Sequence, residues 1–162
     1  MSWLLERLSK NKDNRGMMAN LRCALVDTKK QRAWPVLNRL GVKIDDYVSV
    51  FVAGLYATYT ESTTSGNFGT TCRMIEKHKG DTRSDDNKLT STERRFQHLL
   101  AAEKDELSDR VLRMVLMAKS LGVPINYTQL EIDLRYWNDH KKIEWATAYW
   151  TPGVAPAIEE EV

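Results

Sequence analysis

Apolar residues recur at spacings of three and four through most of the 162-residue chain, and runs that alternate with a period of two never persist. A spacing of three and four places side chains on one face of an α-helix, whereas alternation is typical of a half-buried strand. The pattern therefore predicts an all-α protein, a two-lobed helical bundle of about eight to nine helices.

The N-terminal helical lobe is predicted over residues 1–62. Its most apolar run, YVSVFVAGLYATY, is typical of a buried core helix. Proline suits a first helical turn, and glycine often follows a last one. The helices expected in this lobe are 2–9, 15–27, one from near Pro35 to Gly41, and one opened by Asp45 and Asp46 that runs to about Thr60.

Residues 63–90 are predicted to form a loop-rich connection with one short helix, TTCRMIEKHK. The flanking stretches ESTTSGNFG and KGDTRSDDNKLT are polar and rich in turn formers. GNFG at 66–69 matches a GxxG clamp for nucleic-acid backbone, but that clamp belongs to a fold that contains strands. A plain loop is therefore the preferred interpretation.

The C-terminal helical lobe is predicted over residues 91–150. Thr90 and Glu93 fit a capping box, in which the hydroxyl and the carboxylate each bond a backbone amide of the first turn. Gly122 and Pro124 end the longest helix, and the Pro-containing acidic tail 151–162 is expected to be disordered. The later helices are expected over 105–121 and from Asn126 to about Trp137, and a last one capped by Asp139 is expected to run to Trp150.

Composition favours a soluble globular protein, with 42% hydrophobic and 28% charged residues. The longest apolar run is shorter than the roughly 20 residues that span a bilayer, and the N-terminus lacks the pattern of a secretory signal. Cys23 and Cys72 are isolated thiols, which fits a reducing compartment. The expected location is the cytoplasm, with no membrane partner.

Charge is unevenly distributed, although the formal net charge is only +2. Residues 1–44 carry a net +7 and residues 45–162 a net −5. A basic first third suggests a surface for a polyanion. The alternative is a solvated surface with chance clustering.

Two groups of basic residues fall on helix faces directed away from apolar ones. Arg15, Arg22 and Lys29 would form one cationic stripe of about 20 Å if the second helix reached Lys29. Arg94 and Arg95, with His98, point away from the apolar face of the next candidate helix. Arginine forks onto phosphate oxygens, so both groups are candidate contacts, the alternative being intramolecular ion pairs.

The stretch RYWNDHKKIEWATAYW at 135–150 interleaves aromatic and basic residues. Exposed aromatic rings could stack on bases, but aromatics at helical spacing are more often core. Core packing is preferred, which leaves Arg135, Lys141 and Lys142 as the candidate contacts.

No arrangement of residues predicts catalysis or a cofactor. The histidines lie in separate segments without metal-binding spacing, and most carboxylates alternate with lysine or arginine as in solvated ion pairs. A helical enzyme with a hidden carboxylate site is the least favoured interpretation. We expect a protein that is not an enzyme and holds no metal.

Several segments in order resemble a known family. TERRFQHLLAAEKDEL, LRMVLMAKSLGVPINYTQLEIDLRYW and IEWATAYW, with WLLERL and RGMMANLRCAL near the N-terminus, are similar to the CasB family. This family is the small subunit of the type I-E CRISPR surveillance complex Cascade. The match is best over residues 12–25 and 67–150, and poor in the loops.

The resemblance implies an all-α, non-catalytic subunit present in more than one copy. Its implied partners are the CRISPR guide RNA, the target DNA with its displaced non-target strand, the Cascade backbone and large subunits, and a second copy of itself. The basic positions that match the family pattern are Arg22, Arg73, Arg94, Arg95 and Arg113, with Arg135 and Lys141 in a less regular region.

Two positions depart from the family pattern. Cys23 replaces the second arginine of the LRRA segment, and Cys72 replaces a frequent glycine. Both changes argue against close phosphate approach at those points. A purely structural bridge between subunits, with no nucleic-acid contact, remains the alternative function.

Overall fold

The computed structural model describes residues 2–83, 85 and 87–153. Within these residues the secondary structure is helical, with nine α-helices and no β-strand, which confirms the predicted all-α class. The helices are α1 (Trp3–Lys10), α2 (Arg15–Arg22), α3 (Trp34–Arg39), α4 (Tyr47–Thr58), α5 (Phe68–Lys79), α6 (Ser91–Leu100), α7 (Lys104–Leu121), α8 (Tyr127–Arg135) and α9 (Asp139–Trp150).

The first compact unit contains residues Met1–Thr64 and Tyr127–Arg135. The apolar helix α4 is its centre, and α1, α2 and α8 pack against it. Asp46 caps α4 by accepting a hydrogen bond from the amide of Ser49 at 3.3 Å. Tyr127, at the start of α8, donates its hydroxyl to the carbonyl of Tyr59. Helix α8 therefore belongs to the N-terminal unit, whereas the predicted boundaries put it in the C-terminal lobe.

Helix α2 is shorter than predicted. It ends at Arg22, and two 3₁₀ segments, Cys23–Leu25 and Asp27–Ala33, follow it. Val26, between them, is extended, with φ −112° and ψ 111°. β-branched and short polar residues favour helix weakly, which is consistent with the break in VDT. The predicted helix over 15–27 is thus wrong in its last turn.

The second compact unit contains residues Ser65–Asn126 and Tyr136–Val162. Helix α5 is its centre and packs against α6, α7 and α9. Gly69 of GNFG serves this packing, because a Cβ there would lie 2.0 Å from the carbonyl oxygen of Trp145 in α9. Asn67 caps α5 through a capping box with Thr70, so the helix begins earlier than TTCRMIEKHK predicted.

Two of the three aromatic residues of α9 lie in the core of this unit, whereas Trp150 is 36% exposed. Trp145 and Tyr149 are buried, and the Tyr149 ring stacks on Phe96 with centroids 4.5 Å apart. The core interpretation of this stretch is confirmed for these two residues. The cap of α9 is Asn138, not Asp139 as predicted. Of the predicted acidic tail, residues 151–153 are exposed and residues 154–162 lie outside the described residues.

Candidate nucleic-acid interface

A cationic cleft of about 340 Å³ lies between α6 and α7. Three arginines and a histidine line it together with two methionines, and no carboxylate is among the described residues that do so. Guanidinium groups around a concave surface attract anions. The lining residues are Arg95, His98, Arg110, Arg113, Met114 and Met117.

The first turn of α6 sets the direction of its arginines. The hydroxyl of Thr90 accepts a hydrogen bond from the amide of Glu93 at 3.0 Å, and the Glu93 carboxylate accepts one from the amide of Thr90 at 2.9 Å. The predicted capping box is therefore confirmed. It also places a negative charge in the first turn, where it offsets the unfavourable position of Arg94 and Arg95.

Glu93 is held as an anion although its side chain is only 3% exposed. Arg83 donates to both of its carboxylate oxygens, at 3.0 and 2.7 Å, and the indole of Trp150 donates at 2.9 Å. The hydrogen bonds from Arg83, opposed by burial and aided by those from Thr90 and Trp150, lower the pKa of Glu93 to about 2. The start of α6 is thus charged and fixed at neutral pH.

Arg110 connects the two walls of the cleft. One guanidinium nitrogen donates to the backbone carbonyl of His98 at 2.6 Å, and the other donates to the carboxylate of Glu106 at 2.7 Å. The bond to His98 ties the last turn of α6 to α7, and the bond to Glu106 lies within α7. Because both terminal nitrogens of Arg110 already donate hydrogen bonds, this residue holds the cleft walls in place and is less available to a ligand.

Arg95 and Arg113 are the cations that remain for a ligand. Both are exposed, and neither forms an ion pair within the part of the chain that the structure describes. Among the described residues, Arg95 donates to the sulfur of Met117 at 3.6 Å, and thioether sulfur is a weak acceptor. A phosphate oxygen would be a much stronger partner for either guanidinium group.

Arg94 does not line the cleft, although it is the sequence neighbour of Arg95. Successive residues are rotated by about 100° around a helix, so the two side chains leave α6 in different directions. Arg94 is exposed, and the ion pair considered as its alternative is not found among the described residues. Helix geometry therefore places Arg95 in the cleft and Arg94 outside it, so the two do not act as a pair there.

Arg73 and Arg135 are committed to intramolecular bonds. Arg73 donates to the backbone carbonyl of Tyr149 at 2.8 Å. Arg135 donates to the two oxygens of Asp46, at 3.1 and 3.3 Å, and to the hydroxyl of Ser49 at 2.9 Å. Burial works to raise the pKa of Asp46, but the hydrogen bonds from Arg135 and Ser49 outweigh it and hold that pKa below its usual range.

Lys141 and Lys142 also have acidic neighbours on their own helix. The ammonium of Lys141 lies 3.4 Å from the carboxylate of Glu144, and that of Lys142 lies 3.9 Å from the carboxylate of Asp139. Both pairs are of the local helical kind, which contributes little to stability. These lysines are less available to a phosphate than Arg95 or Arg113.

The predicted stripe in the first unit is not continuous. Arg15, Arg22 and Lys29 are all exposed, but Lys29 lies in the 3₁₀ segment beyond the end of α2. A single helical face therefore connects only Arg15 with Arg22. The expectation of a stripe of about 20 Å along one helix is wrong.

The sequence interpretation missed Arg110 and the two methionines. Residues 110, 113, 114 and 117 occupy one face of α7, at spacings of three and four. The mixture of basic and apolar residues on that face can be read from the sequence. The face lines a cleft only because α6 packs against α7, and local sequence spacing does not predict that contact.

A second polar cavity, of about 280 Å³, lies beside the start of α6. Glu76 accepts hydrogen bonds there from Thr90 at 2.6 Å and from the hydroxyl of Tyr149 at 2.9 Å. Burial, aided by Glu76, raises the pKa of Tyr149 well above its ordinary value. These groups satisfy one another, so the cluster holds α5, α6 and α9 together.

Other chemistry has little support among the described residues. They contain no group of three or more His, Cys, Asp or Glu that could hold a metal ion. Cys72 is fully buried, and its burial raises the pKa of the thiol. Of the helices within the described ranges, none is long and apolar enough to cross a membrane.

Comparison with known proteins places the fold. Solved structures similar to this chain include CasB from Thermus thermophilus (21% identity, TM-score 0.71, covering 91% of this chain and 95% of that one). A CRISPR-associated protein of the Cse2 family, also from Thermus thermophilus, matches at 20% identity and TM-score 0.72, with the same coverage of 91% and 95%. CasB from M. ruber matches at 21% identity and TM-score 0.68, covering 99% of this chain and 97% of that one.

No curated protein sequence matches the chain significantly. The model of the family described as CRISPR-associated protein Cse2 matches residues 17–150, from within α2 to the last residue of α9. Because this match spans most of the chain, the protein belongs to the Cse2 family of CRISPR-associated proteins.

Proposed function

We propose that this protein is the non-catalytic small subunit of a type I-E CRISPR Cascade complex. It binds nucleic-acid backbone without sequence specificity and stabilises guide RNA–target DNA pairing and the displaced non-target strand. Its partners are the guide RNA, the target DNA, the backbone and large subunits of Cascade, and a second copy of itself. The observation that carries the proposal is the cationic cleft between α6 and α7.

The cleft suits contact with phosphates. Arg95 and Arg113 present planar guanidinium groups, which bind phosphate through two parallel hydrogen bonds. Contacts to phosphate position a strand but carry no sequence information. Guide pairing with target DNA is close to energetically balanced, so modest backbone contacts shift it towards the paired state.

Exposed cations outside the cleft are further candidates for phosphate contact. Arg15, Arg22 and Lys29 in the first unit, and Arg94 in the second, are exposed, whereas the exposed Arg135 pairs with Asp46. Neutralising about four phosphates of a single strand would give a slope of roughly −3 for log affinity against log salt. Binding by the isolated protein is accordingly expected to be weak and to decrease steeply with salt.

Replacing Arg95 and Arg113 together by glutamine tests this proposal. Each lost phosphate contact reduces the slope by about 0.7 for a single strand, so the double variant should change it by about 1.4. Fluorescence anisotropy with single-stranded DNA over a salt series measures the slope. Arg94→Gln removes a charge of the same kind outside the cleft, and its effect should be smaller. An unchanged slope in the double variant would contradict the proposal.

The alternative is a structural bridge with no direct nucleic-acid contact. The intramolecular bonds of Arg73 and Arg135 favour it, as do large apolar side chains that stay exposed, such as Tyr47 at 83% and Tyr136 at 63%. Such side chains often mark protein contact surfaces. A bridge predicts that the isolated protein shows no salt-dependent binding to single-stranded DNA.

A further inference from the structure

We propose that the cleft between α6 and α7 receives one unpaired nucleotide. Its phosphate would lie on Arg95 and Arg113, and its base would pack against Met114 and Met117. This inference rests on the proposed function and adds contact with the base to contact with the backbone. It makes the cleft selective for single strands over duplexes.

The apolar floor of the cleft is the first reason. Met114 is 2% exposed and Met117 is half-buried, so most of the apolar surface that the cleft offers to a ligand comes from Met117. Phosphate binding alone requires no apolar floor. Methionine sulfur is polarizable and contacts aromatic rings favourably, and a nucleobase offers a flat aromatic face.

The position of Arg95 is the second reason. Its guanidinium lies 3.6 Å from the sulfur of Met117, so a planar cation and a thioether border the same space. Arginine planes stack on unpaired bases as well as binding phosphate. One side chain can thus contact both the base and the phosphate of a nucleotide.

The size and composition of the cleft agree with this occupant. Its volume of about 340 Å³ is near the lower end of the range of small-molecule sites, about 300–1,000 Å³. No amide side chain is among the described residues that line it, so it lacks the bidentate partner of adenine. Recognition by stacking tolerates any base.

Pairing excludes a base from such a cleft. In a duplex the bases are stacked inside, and extruding one has a free-energy cost. A nucleotide that is already unpaired avoids this cost. The chemistry therefore selects a single strand, as either a displaced strand or an unpaired residue of a bound one.

A comparison of two DNA octamers of equal charge distinguishes contact with the base from contact with the backbone. Oligo(dT) carries bases, and an abasic deoxyribose-phosphate octamer carries only the backbone. At low salt the full-length wild-type protein should bind oligo(dT) about tenfold more tightly, which is within the range of one base contact. Isothermal titration calorimetry measures both affinities without a label.

Variants of α7 locate the base contact. Met117→Ser should reduce the ratio of the two affinities towards one, and Met117→Gln, which keeps the side-chain length, provides a second variant if the first is unstable. Leu116→Ser is the matched control, because Leu116 is 45% exposed on the same helix and does not line the cleft. That control should keep the tenfold ratio.

Equal affinity of the wild-type protein for both octamers would overturn the inference and leave backbone binding intact. A tenfold ratio that survives in both Met117 variants would overturn it as well, because the base would then lie elsewhere. Absence of binding to either octamer would contradict the inference and the proposed function together.

Discussion

At the residue scale, Glu93 connects several parts of the second unit. Its carboxylate closes the capping box of α6, pairs with Arg83 and accepts from the indole of Trp150. A buried carboxylate without such donors would carry a large desolvation cost. The orientation of α6, one wall of the cleft, therefore depends on the Glu93 carboxylate, which does not itself line the cleft.

Glu93→Gln should lower the free energy of unfolding at pH 7 by on the order of 3 kcal/mol, the equivalent of a pKa lowered from 4.5 to about 2. Since the folded pKa is depressed, this contribution is complete above about pH 4.5 and is lost as pH falls towards 2. The difference between wild type and variant should shrink over that window. Denaturant unfolding at several pH values measures it.

Glu106→Gln is the control for this experiment. Glu106 is 58% exposed and pairs with Arg110 one helical turn away. An exposed pair of this kind contributes less than about 1 kcal/mol. A difference between wild type and Glu93→Gln that stays constant from pH 7 to pH 3 would refute the role given to the carboxylate.

At the element scale, the unit built around α5 depends on close contact between helix backbones. A Cβ at Gly69 would overlap the carbonyl of Trp145, a backbone atom that cannot rotate away. The glycine therefore sets how closely α5 approaches α9. The second glycine of GNFG is therefore explained by helix packing, and no nucleic-acid ligand is needed to account for it.

Gly69→Ala should destabilise the protein by about 3 kcal/mol, the upper end of the usual cost of overpacking. Gly16→Ala is the matched control, because Gly16 is also helical and its nearest neighbour to a new Cβ is 3.8 Å away. Alanine favours helix by up to about 1 kcal/mol, so the control should be neutral or stabilising. Thermal unfolding distinguishes them, and equal melting temperatures would show that the helices separate freely.

The number and class of the helices could be predicted because apolar spacing and caps are local signals. Thr90 and Glu93 were identified correctly as a capping box for this reason, and the start of α4 was placed correctly at Asp45 and Asp46. The extended conformation of Val26 and the packing of α8 with α4 were missed, since both depend on contacts between distant segments.

The candidate site shows the same limit. The sequence singled out Arg95 and Arg113 separately, but the cleft exists only because α6 packs against α7. Arg73 and Arg135 were chosen with equal reason, and the fold supplies each with an internal acceptor. Pairing of charges across a fold is not encoded in local spacing.

At the scale of the whole molecule, net charge is a poor guide to the cleft. The basic excess of +7 lies in residues 1–44, whereas the cleft belongs to a stretch, residues 45–162, with a net −5. Local potential depends on which side chains face one concave surface, and acids elsewhere are screened by salt within about 10 Å. The first unit also carries exposed cations, but the cleft that we propose for phosphate lies in the second.

The most direct test is the lifetime of target DNA on the assembled complex that carries Arg95→Gln and Arg113→Gln. Charged hydrogen bonds contribute about 1.5–3 kcal/mol each, so loss of these contacts should speed dissociation by at least about tenfold. Lys119→Gln, which removes an exposed charge on α7 outside the cleft, should stay near the wild-type rate. Subunit stoichiometry should be unchanged in all three complexes. A wild-type lifetime in the double variant, with the complex intact, would contradict the claim that this cleft holds nucleic acid.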